Sequence, residues 1–538
     1  MEKRITQELR KIIKNHKWKL TNFHVSKPQS LEFGEYTSNI ALVGAKPTGK
    51  TPQELAQLIV TEFDKAKLNI REIQVVGPGF LNFFLHSDYY GNIVKTILRQ
   101  GLTFGRGKAS DEVVNIEFVS ANPTGFLHVA HARGAALGDS LANIITHAGK
   151  RVVREYYIND AGNQIDRLGL SLYTRYQQLA FGPERVFEMP EDTYAGEDII
   201  WAAHRLIEEV GFQWKGLDYT EISDQIKAAG VRIMLNQIKQ DLAKMNVHFD
   251  IWFSEKSLYD NKIIATHLKT LKGTYNKDGA LWLETTKFGD DKDRVLVKSD
   301  GSGTYLLPDT IYHTIKATRE PNTTKLINIW GADHSGYIKR IEVALELQGF
   351  DKSILEVVVL QLVKLMQNGQ EMKMSKRKGT SLFLSELIEQ VGLDTTRFFL
   401  VNRSVNSQID FDLDLANLKT NDNPVFIIQY AHARTVQLLN KANVQRLNSF
   451  RYEELSEFNL INLMNKFPDL INQIAINLKV NLLTQYLIDL AREYNSFYSN
   501  NRIIGHPRER DLLALSKACG NIIKIGLKLI GVSAPERM

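Results

Sequence analysis

Residues 113–132 read VVNIEFVSANPTGFLHVAHA, and the architecture is easiest to understand from this stretch. Its first six residues form an apolar run rich in β-branched side chains, which is typical of a buried strand. The NPTG sequence at 122–125 then predicts a turn, and a helical pattern continues through Ala148. A strand, a turn and a helix in this order open a nucleotide-binding α/β unit. We therefore expect a parallel sheet in the middle of the chain.

The sequence after this helix predicts the rest of that sheet. Residues 151–158 form a second strand at βαβ spacing, and residues from about 165 to 280 are expected to be a largely helical insertion. Strand-like runs return at 295–298, 326–330 and 357–360, and these are expected to complete the sheet.

The flanking sequences differ from this central part. Residues 1–107 predict a small α+β domain, and residues 421–538 predict an all-α bundle. Residues 108–380 would form the parallel-sheet domain with its insertion, and residues 381–420 would form a connecting stem. A chain of 538 residues is too long for a single core, so the fold class is multidomain α/β.

The composition excludes several classes of protein. The chain is 43% hydrophobic and 24% charged, which excludes a disordered protein. Cys519 is the only cysteine, so an intrachain disulfide and a multi-cysteine zinc site are excluded. No apolar run approaches the roughly 20 residues of a membrane span, and we expect a cytoplasmic protein without a membrane partner. The net charge of +6, with basic residues concentrated in 1–20, permits an RNA partner without requiring one.

Residues 44–51, GAKPTGKT, satisfy the pattern of a phosphate-binding loop. However, Pro52 stands where a helix should offer backbone N–H groups to phosphate, and proline has no such group. No convincing strand ending in a magnesium-binding aspartate follows in the same small domain. We therefore favour a helix, a polar turn and a second helix that begins with proline.

His128 and His131 carry the strongest chemical signal. They lie three residues apart at the start of the predicted helix, so both imidazoles share one face beside the free N–H groups of the helix N-terminus. Such an arrangement is suited to bind ATP phosphates and to stabilise negative charge at the α-phosphorus. Two isolated surface histidines are the usual alternative for this spacing, but the surrounding residues 121–131 resemble the signature of class I tRNA synthetases.

Residues 373–380, KMSKRKGT, resemble the lysine loop of the same class. Lys373 and Lys376 would stabilise the leaving pyrophosphate. A basic surface loop or a nucleic-acid patch is the alternative, although the position of this cluster after the paired histidines favours the first interpretation.

Five further stretches resemble arginyl-tRNA synthetases over nearly the whole chain: residues 114–120, 155–165, 331–334, 423–434 and 534–538. The resemblance implies a Rossmann-like catalytic domain, an N-terminal tRNA-contacting domain and a C-terminal anticodon-binding bundle. It also implies ATP-dependent activation of L-arginine and transfer to tRNA(Arg), with Mg²⁺ carried by ATP and no metal bound by the protein itself. The enzyme is expected to act as a monomer.

The resemblance also assigns roles to individual residues. The catalytic residues would be His128, His131, Lys373 and Lys376. ATP would be bound by Asn122, Thr124, Gly125, His128, Ala130, His131, Gly331, Asp333, His334, Met374, Ser375 and Lys376. Arginine would be bound by Glu117, Ser120, Asn122, His131, Tyr305 and Asp309, and tRNA by Tyr430 and Arg434.

Several of these assignments have a structural alternative. Glu117 is also explained by an ordinary ion pair at a strand end, Asp309 by a helix cap after Pro308, and Tyr430 by packing in the bundle. Asp333 and His334 are also explained by a turn aspartate beside a partly buried histidine. The sequence departs from the class pattern at Ala130, where glycine is usual, and this puts the affinity for ATP in question.

Three other functions compete with this interpretation. The chain could be a phosphate-loop ATPase, a synthetase-like RNA-binding protein without catalytic activity, or a class I synthetase of another specificity. Pro52 argues against the first, and the intact histidines and lysines argue against the second.

Overall fold

The computed structural model describes residues 1–28, 30–372, 382–442 and 446–538. Its first hundred residues form an antiparallel sheet of strand order β1-β2-β4-β3 with helices packed against it. The elements are α1 (Glu2–Asn15), β1 (Val25–Ser26), β2 (Tyr36–Ser38), α2 (Ile40–Thr48), α3 (Pro52–Glu62), β3 (Ile70–Val76), β4 (Phe80–Leu85) and α4 (Ser87–Gln100). Their buried residues form a core of their own, and the expected α+β region is confirmed.

The stretch that satisfies the phosphate-loop pattern folds as two helices joined by a turn. Residues 40–43, which directly precede the pattern, begin α2, and Gly49 ends that helix in the left-handed region with φ 68°. Pro52 is the first residue of α3, and Thr51 caps that helix reciprocally with Glu54. A phosphate loop is therefore excluded at this position.

The middle of the chain contains the parallel sheet, whose strand order is β12-β11-β5-β6-β7. Its elements and their insertions are β5 (Val113–Glu117), α5 (Val129–His147), β6 (Arg151–Ile158), α6 (Asn163–Phe181), α7 (Glu197–Val210), α8 (Tyr219–Lys244), β7 (Ile251–Ser254), α9 (Lys256–Asp260), α10 (Ile263–Leu268), β8 (Thr274–Lys277), β9 (Ala280–Leu283), β10 (Arg294–Val297), α11 (Leu306–Arg319), β11 (Thr323–Gly331), α12 (Ile338–Leu347) and β12 (Leu355–Leu360). The expected parallel sheet with a helical insertion is confirmed.

Two details of the predicted sheet were wrong. The region from about 165 to 280 is largely helical as expected, but it also contains β7, an unpredicted strand that joins the parallel sheet beside β6. The run at 295–298 does not join this sheet, because β10 pairs antiparallel with β9 in a separate sheet of order β10-β9-β8. The connection between β9 and β10 is too short for the crossover of a dozen or more residues that parallel neighbours require.

The remainder of the chain begins with a small sheet of order β14-β13-β15 and ends in a helical bundle. Its elements are β13 (Val363–Gln367), β14 (Gln370–Glu371), α13 (Leu384–Val391), α14 (Leu393–Val401), β15 (Ile409–Asp412), α15 (Leu413–Asn417), α16 (Pro424–Lys441), α17 (Leu455–Asn465), α18 (Phe467–Asn477), α19 (Asn481–Asn500) and α20 (Glu509–Leu529). The predicted all-α C-terminal region is confirmed. No helix within the described residues is long and apolar enough to cross a membrane.

A buried arginine joins three parts of the molecule. Arg397 of α14 donates to Asp139 of α5 at 2.6 Å, to the carbonyl of Met245 at 2.6 Å and to the carbonyl of Ile530 at 2.9 Å. Loss of one partner from such a buried pair typically costs about 3–5 kcal/mol. The helix that begins at the paired histidines is thus fixed to the stem and to the end of the bundle.

Candidate active site

The candidate site is built on a strained turn at the carboxyl end of β5. Val119 and Ser120 follow this strand with φ angles of 69° and 38°. A β-branched residue at positive φ is uncommon, and such strain is concentrated at functional sites. β5 lies between β6 and β11. The chain first continues to β6 and β7 on one side of β5 and later adds β11 and β12 on the other side. This is the switch point at which open parallel sheets bind ligands.

Ser120 fixes the turn by contacts on two sides. Its hydroxyl donates to Glu117 Oε1 at 3.2 Å and accepts the backbone N–H of Tyr157 at 3.1 Å. Asn122 lies exposed just beyond the turn, and the N–H of Thr124 donates to the Asn122 carbonyl at 2.7 Å. Thus Ser120 faces Glu117, whereas Asn122 and Thr124 lie on the way to α5.

The start of α5 holds the two histidines in a defined arrangement. His128 is the N-cap residue, and its backbone N–H donates to Nδ1 of His131 at 3.1 Å. Because Nδ1 of His131 accepts this hydrogen bond, a neutral His131 carries its proton on Nε2. The two rings lie 5.5 Å apart between centroids and are inclined by 24°. The start of the helix therefore holds two imidazoles side by side in a reciprocal cap.

Ala130 and Gly125 occupy different environments around this helix start. Ala130 is exposed at the second residue of α5, where its methyl group faces outward. Gly125 lies against the carboxylate of Asp198 at the beginning of α7, and a Cβ at this position would collide with that side chain. A side chain at position 125 would make the Asp198 carboxylate move, so glycine favours this close approach of the insertion to the turn.

Chain segments on the C-terminal side of the lysine cluster meet the histidines directly. Phe383 forms an isolated antiparallel bridge with His128, and the N–H of Leu384 donates to the Leu127 carbonyl at 2.8 Å. The rings of His128 and Phe383 stack at 5.7 Å. Lys373, Met374, Ser375 and Lys376 lie outside the described residues.

Three carboxylates gather beside the carboxyl ends of the strands. Glu117 ends β5, Asp309 lies in the first turn of α11, and Glu255 directly follows β7. Burial raises the pKa of Asp309 to about 7, and the nearby charges of Glu255 and Glu117 act in the same direction. Burial also raises the pKa of Glu255. Because the ionised forms of these carboxylates are unfavourable here, a cationic ligand would stabilise them.

Tyr305 stands apart from this group. It is the N-cap residue of α11, one turn before Asp309, and 81% of its surface is exposed. The helix therefore carries Tyr305 at the exposed edge of the group formed by Glu117, Asp309 and Glu255, which we call the acidic pocket, and Asp309 one turn further along.

Glu255 was missed by sequence reasoning. The sequence at 251–254 was assigned to a helical insertion, so the residue following it was not expected at the ligand-binding edge. The short apolar run of β7, with Trp252 and Phe253 packed against residues of β6, is the signal that identifies this strand.

The turn after β11 lies at the same edge of the parallel sheet as the turn after β5. Gly331 ends β11, and residues 332–337 form a 3₁₀ helix. His334 is exposed, and its ring centroid lies 6.2 Å from that of Trp330. The backbone of Asp333 belongs to the same 3₁₀ helix. Because β11 is parallel to β5, this turn and the strained turn share one edge of the sheet.

Tyr430 and Arg434 lie far along the chain on α16, where both take part in packing. Arg434 donates to Asn495 at 2.8 Å and to the Tyr430 hydroxyl at 3.1 Å. Its guanidinium lies 4.6 Å from the ring centroids of both Tyr430 and Tyr498. Both residues are half-buried, so the structure brings them together but not to the sheet edge.

Three family profiles match successive parts of the chain. Residues 1–85 match the profile of the arginyl tRNA synthetase N-terminal domain, and residues 93–413 match the class I (R) tRNA synthetase catalytic domain. Residues 428–538 match the DALR anticodon binding domain.

Similar proteins carry the same description. The arginine–tRNA ligase of Mycoplasma mobile is 48% identical over 511 residues, which cover 94% of each chain. The arginine–tRNA ligase of Bacillus subtilis is 44% identical over 532 residues, covering 96% of this chain and 95% of that protein. The structure of Thermus thermophilus arginyl-tRNA synthetase has a TM-score of 0.74 at 21% identity, with both chains covered fully, and shows the shared fold.

Proposed function

The chain belongs to the arginyl-tRNA synthetase family of class I, and we propose that it is an arginine–tRNA ligase. In the first step, the carboxylate of L-arginine attacks the α-phosphorus of ATP, forming arginyl-adenylate and releasing pyrophosphate. In the second, a hydroxyl of the 3′-terminal ribose of tRNA(Arg) attacks the arginyl carbonyl, and AMP leaves. The observation that supports this function best is the acidic pocket, which lies on the same sheet edge as the helix N-terminus carrying two histidines.

We propose that the start of α5 binds the triphosphate. His128 and His131 would stabilise the charge that develops around the α-phosphorus, because the helix N-terminus and the Nε2–H group of His131 favour an anion. Asn122, Thr124, Gly125 and Ala130 line the approach to this helix. Gly331, Asp333 and His334 would contact the ribose and adenine from the neighbouring strand end.

The role proposed for the lysine cluster rests on the sequence. Lys373 and Lys376, with Met374 and Ser375, would contact the leaving pyrophosphate. What supports them is the described segment that follows, because Phe383 lies against His128.

The first step requires no protein base. The carboxylate of arginine is already ionised at neutral pH, so the protein contributes position and charge stabilisation. This explains why the site contains imidazoles and carboxylates in separate places rather than a nucleophile with an adjacent base.

We propose that the acidic pocket selects arginine. Its guanidinium is a planar cation with five N–H donors, which matches carboxylates able to accept in pairs. Glu117 and Asp309 would bind it, with Glu255 as a third carboxylate, and Tyr305 would cover the open end. Ser120 would support Glu117, while Asn122 and His131 would contact the α-amino end of the substrate.

The bundle would bind the anticodon side of the tRNA. Tyr430 and Arg434 present an aromatic ring and a guanidinium on α16, within the region that matches an anticodon-binding domain. We further propose that ATP arrives as its magnesium complex and that the enzyme acts as a cytoplasmic monomer. These last proposals rest on the family alone.

A charging assay tests the function directly. The full-length protein, ATP, magnesium and a tRNA(Arg) transcript are incubated with radiolabelled arginine, lysine or glutamine in separate reactions. Only arginine should become attached to the tRNA. Charging with another amino acid, or no charging with any of the three, would contradict the proposal.

A further inference from the structure

A fully buried polar layer lies beneath the acidic pocket. Lys316 of α11 is 1% exposed, and Asn328 of β11 is not exposed at all. The ammonium of Lys316 donates to Glu117 Oε2 at 2.7 Å and to Asn328 Oδ1 at 2.8 Å. A buried lysine is rare unless it is paired, so this arrangement needs a specific explanation.

Hydrogen bonding gives this layer a single direction. His313 Nδ1 lies 2.8 Å from the carbonyl of Asp309, so Nδ1 carries the proton. Burial lowers the pKa of His313 to about 3, which keeps the ring neutral and leaves Nε2 as an acceptor. Asn328 Nδ2 donates to that nitrogen at 2.7 Å, and its Oδ1 must therefore face Lys316.

This series of hydrogen bonds ends at Glu117, whose two carboxylate oxygens have different partners. Oε2 accepts from Lys316 and from the Tyr312 hydroxyl at 3.1 Å, which satisfies both of its lone pairs. Within the described residues, Oε1 accepts the Ser120 hydroxyl at 3.2 Å. One acceptor position therefore remains on Oε1.

From this geometry we infer that Lys316, held by Asn328, is a positioning residue of the arginine pocket. It fixes the Glu117 carboxylate so that Oε1 is the oxygen presented to the substrate guanidinium. Without the ammonium, Oε2 of Glu117 would lose a charged donor, and this buried carboxylate would be free to rotate. Such rotation would require reorganisation before arginine binds. This inference rests on the proposed arginine–tRNA ligase activity.

Lys316→Met tests the inference, because methionine retains an unbranched side chain while removing the charge. We expect the KM for arginine to rise at least tenfold, while the KM for ATP stays within twofold. The measurement is arginine-dependent ATP–pyrophosphate exchange with tRNA present, together with thermal unfolding. Asn328→Ala is the milder variant, since it frees Lys316 without removing either charge, and should raise the arginine KM several-fold.

Arg319→Met is the matched control. Arg319 lies on the same helix and forms a comparable pair with Glu155 at 2.7 Å. Its loss should lower the unfolding temperature without raising the arginine KM. An unchanged or lower arginine KM in Lys316→Met, or an equal rise in Arg319→Met, would overturn the positioning role. If Lys316→Met does not fold, an unchanged arginine KM in Asn328→Ala overturns it.

The wild-type protein separates this inference from the function on which it rests. Failure of the wild type to charge tRNA with arginine would contradict the proposed function itself. Normal charging by the wild type, with unaltered arginine binding in the variants, would contradict only the role of Lys316.

Discussion

Residues 44–51 agree with a known sequence pattern but lie away from the candidate site, whereas residues 121–131 depart from their pattern and lie within it. The first stretch fits a phosphate-loop pattern, yet it folds as the end of α2, a turn and the start of α3, beside the N-terminal antiparallel sheet. The second departs from its class pattern at Ala130, yet it follows a strained turn at the switch point of a parallel sheet. Both helix starts are reciprocally capped, so what distinguishes the second is its position at the carboxyl edge of a parallel sheet, where such sheets bind ligands. Position in the architecture therefore outweighs agreement with a short pattern.

The largest expected effect tests the second stretch. His128→Ala should reduce kcat in ATP–pyrophosphate exchange by about 10²-fold or more, because loss of a donor to developing charge typically costs about 3–4 kcal/mol. The KM for arginine should change little.

His248→Ala is the matched control for this variant, since His248 is an exposed histidine of the same domain. Retention of full exchange activity in His128→Ala would remove the start of α5 from the reaction. Equal loss in both variants would indicate a nonspecific effect.

The second prediction concerns the acidic pocket. Asp309→Asn should raise the arginine KM by about 10- to 100-fold, since hydrogen bonds to charged groups are worth about 1.5–3 kcal/mol. The KM for ATP should remain unchanged in the same exchange assay. Asp300→Asn provides the control, because Asp300 forms only turn contacts with Ser302 in the described structure. An unchanged arginine KM in Asp309→Asn would place this residue outside the pocket.

The third prediction follows from the pKa of Asp309, which burial raises to about 7. A guanidinium favours the ionised carboxylate, so arginine binding below pH 7 must expel a proton, and affinity should fall up to about tenfold per pH unit. Calorimetry in buffers of different ionisation enthalpy should detect release of about one proton at pH 6 and little release at pH 8. Asp309→Asn should abolish this difference. Equal proton release at both values in the wild type would contradict the assignment.

The same contrast explains how much the sequence could predict. The strand at 151–158 was predicted with its observed bounds, because its β-branched and aromatic residues follow the helix at βαβ spacing. The run at 295–298 was predicted as a strand but assigned to the wrong sheet, since pairing depends on the length of the connection rather than on the run itself.

The candidate site divides in the same way. The two histidines were found because their function depends on local helix spacing. Glu255 and Lys316 were not singled out, because their meaning comes from Asp309 and Glu117, which are distant in the sequence. No local pattern encodes a contact between residues 117 and 316, so the buried layer could be recognised only in the folded molecule.

A smaller effect is expected at Ala130, the position that departs from the class pattern. Ala130→Gly should leave activity intact or lower the ATP KM by a few-fold, because removal of the exposed methyl group allows a closer approach to the helix. The cost to the helix should be at most about 1 kcal/mol, which a thermal unfolding curve would show. Complete loss of activity would contradict the proposed position of ATP.

The smallest expected effect is at Lys50, the lysine of the phosphate-loop pattern. Lys50→Ala should leave the aminoacylation rate and the ATP KM unchanged, because Lys50 lies in the exposed turn between α2 and α3, far in the sequence from the parallel sheet. Substitution at an exposed position away from special contacts typically changes stability by no more than about 0.5 kcal/mol. A large increase in the ATP KM would restore nucleotide binding to the first stretch. It would also mean that agreement with a short pattern can outweigh position in the fold, which is the reverse of what the two regions otherwise indicate.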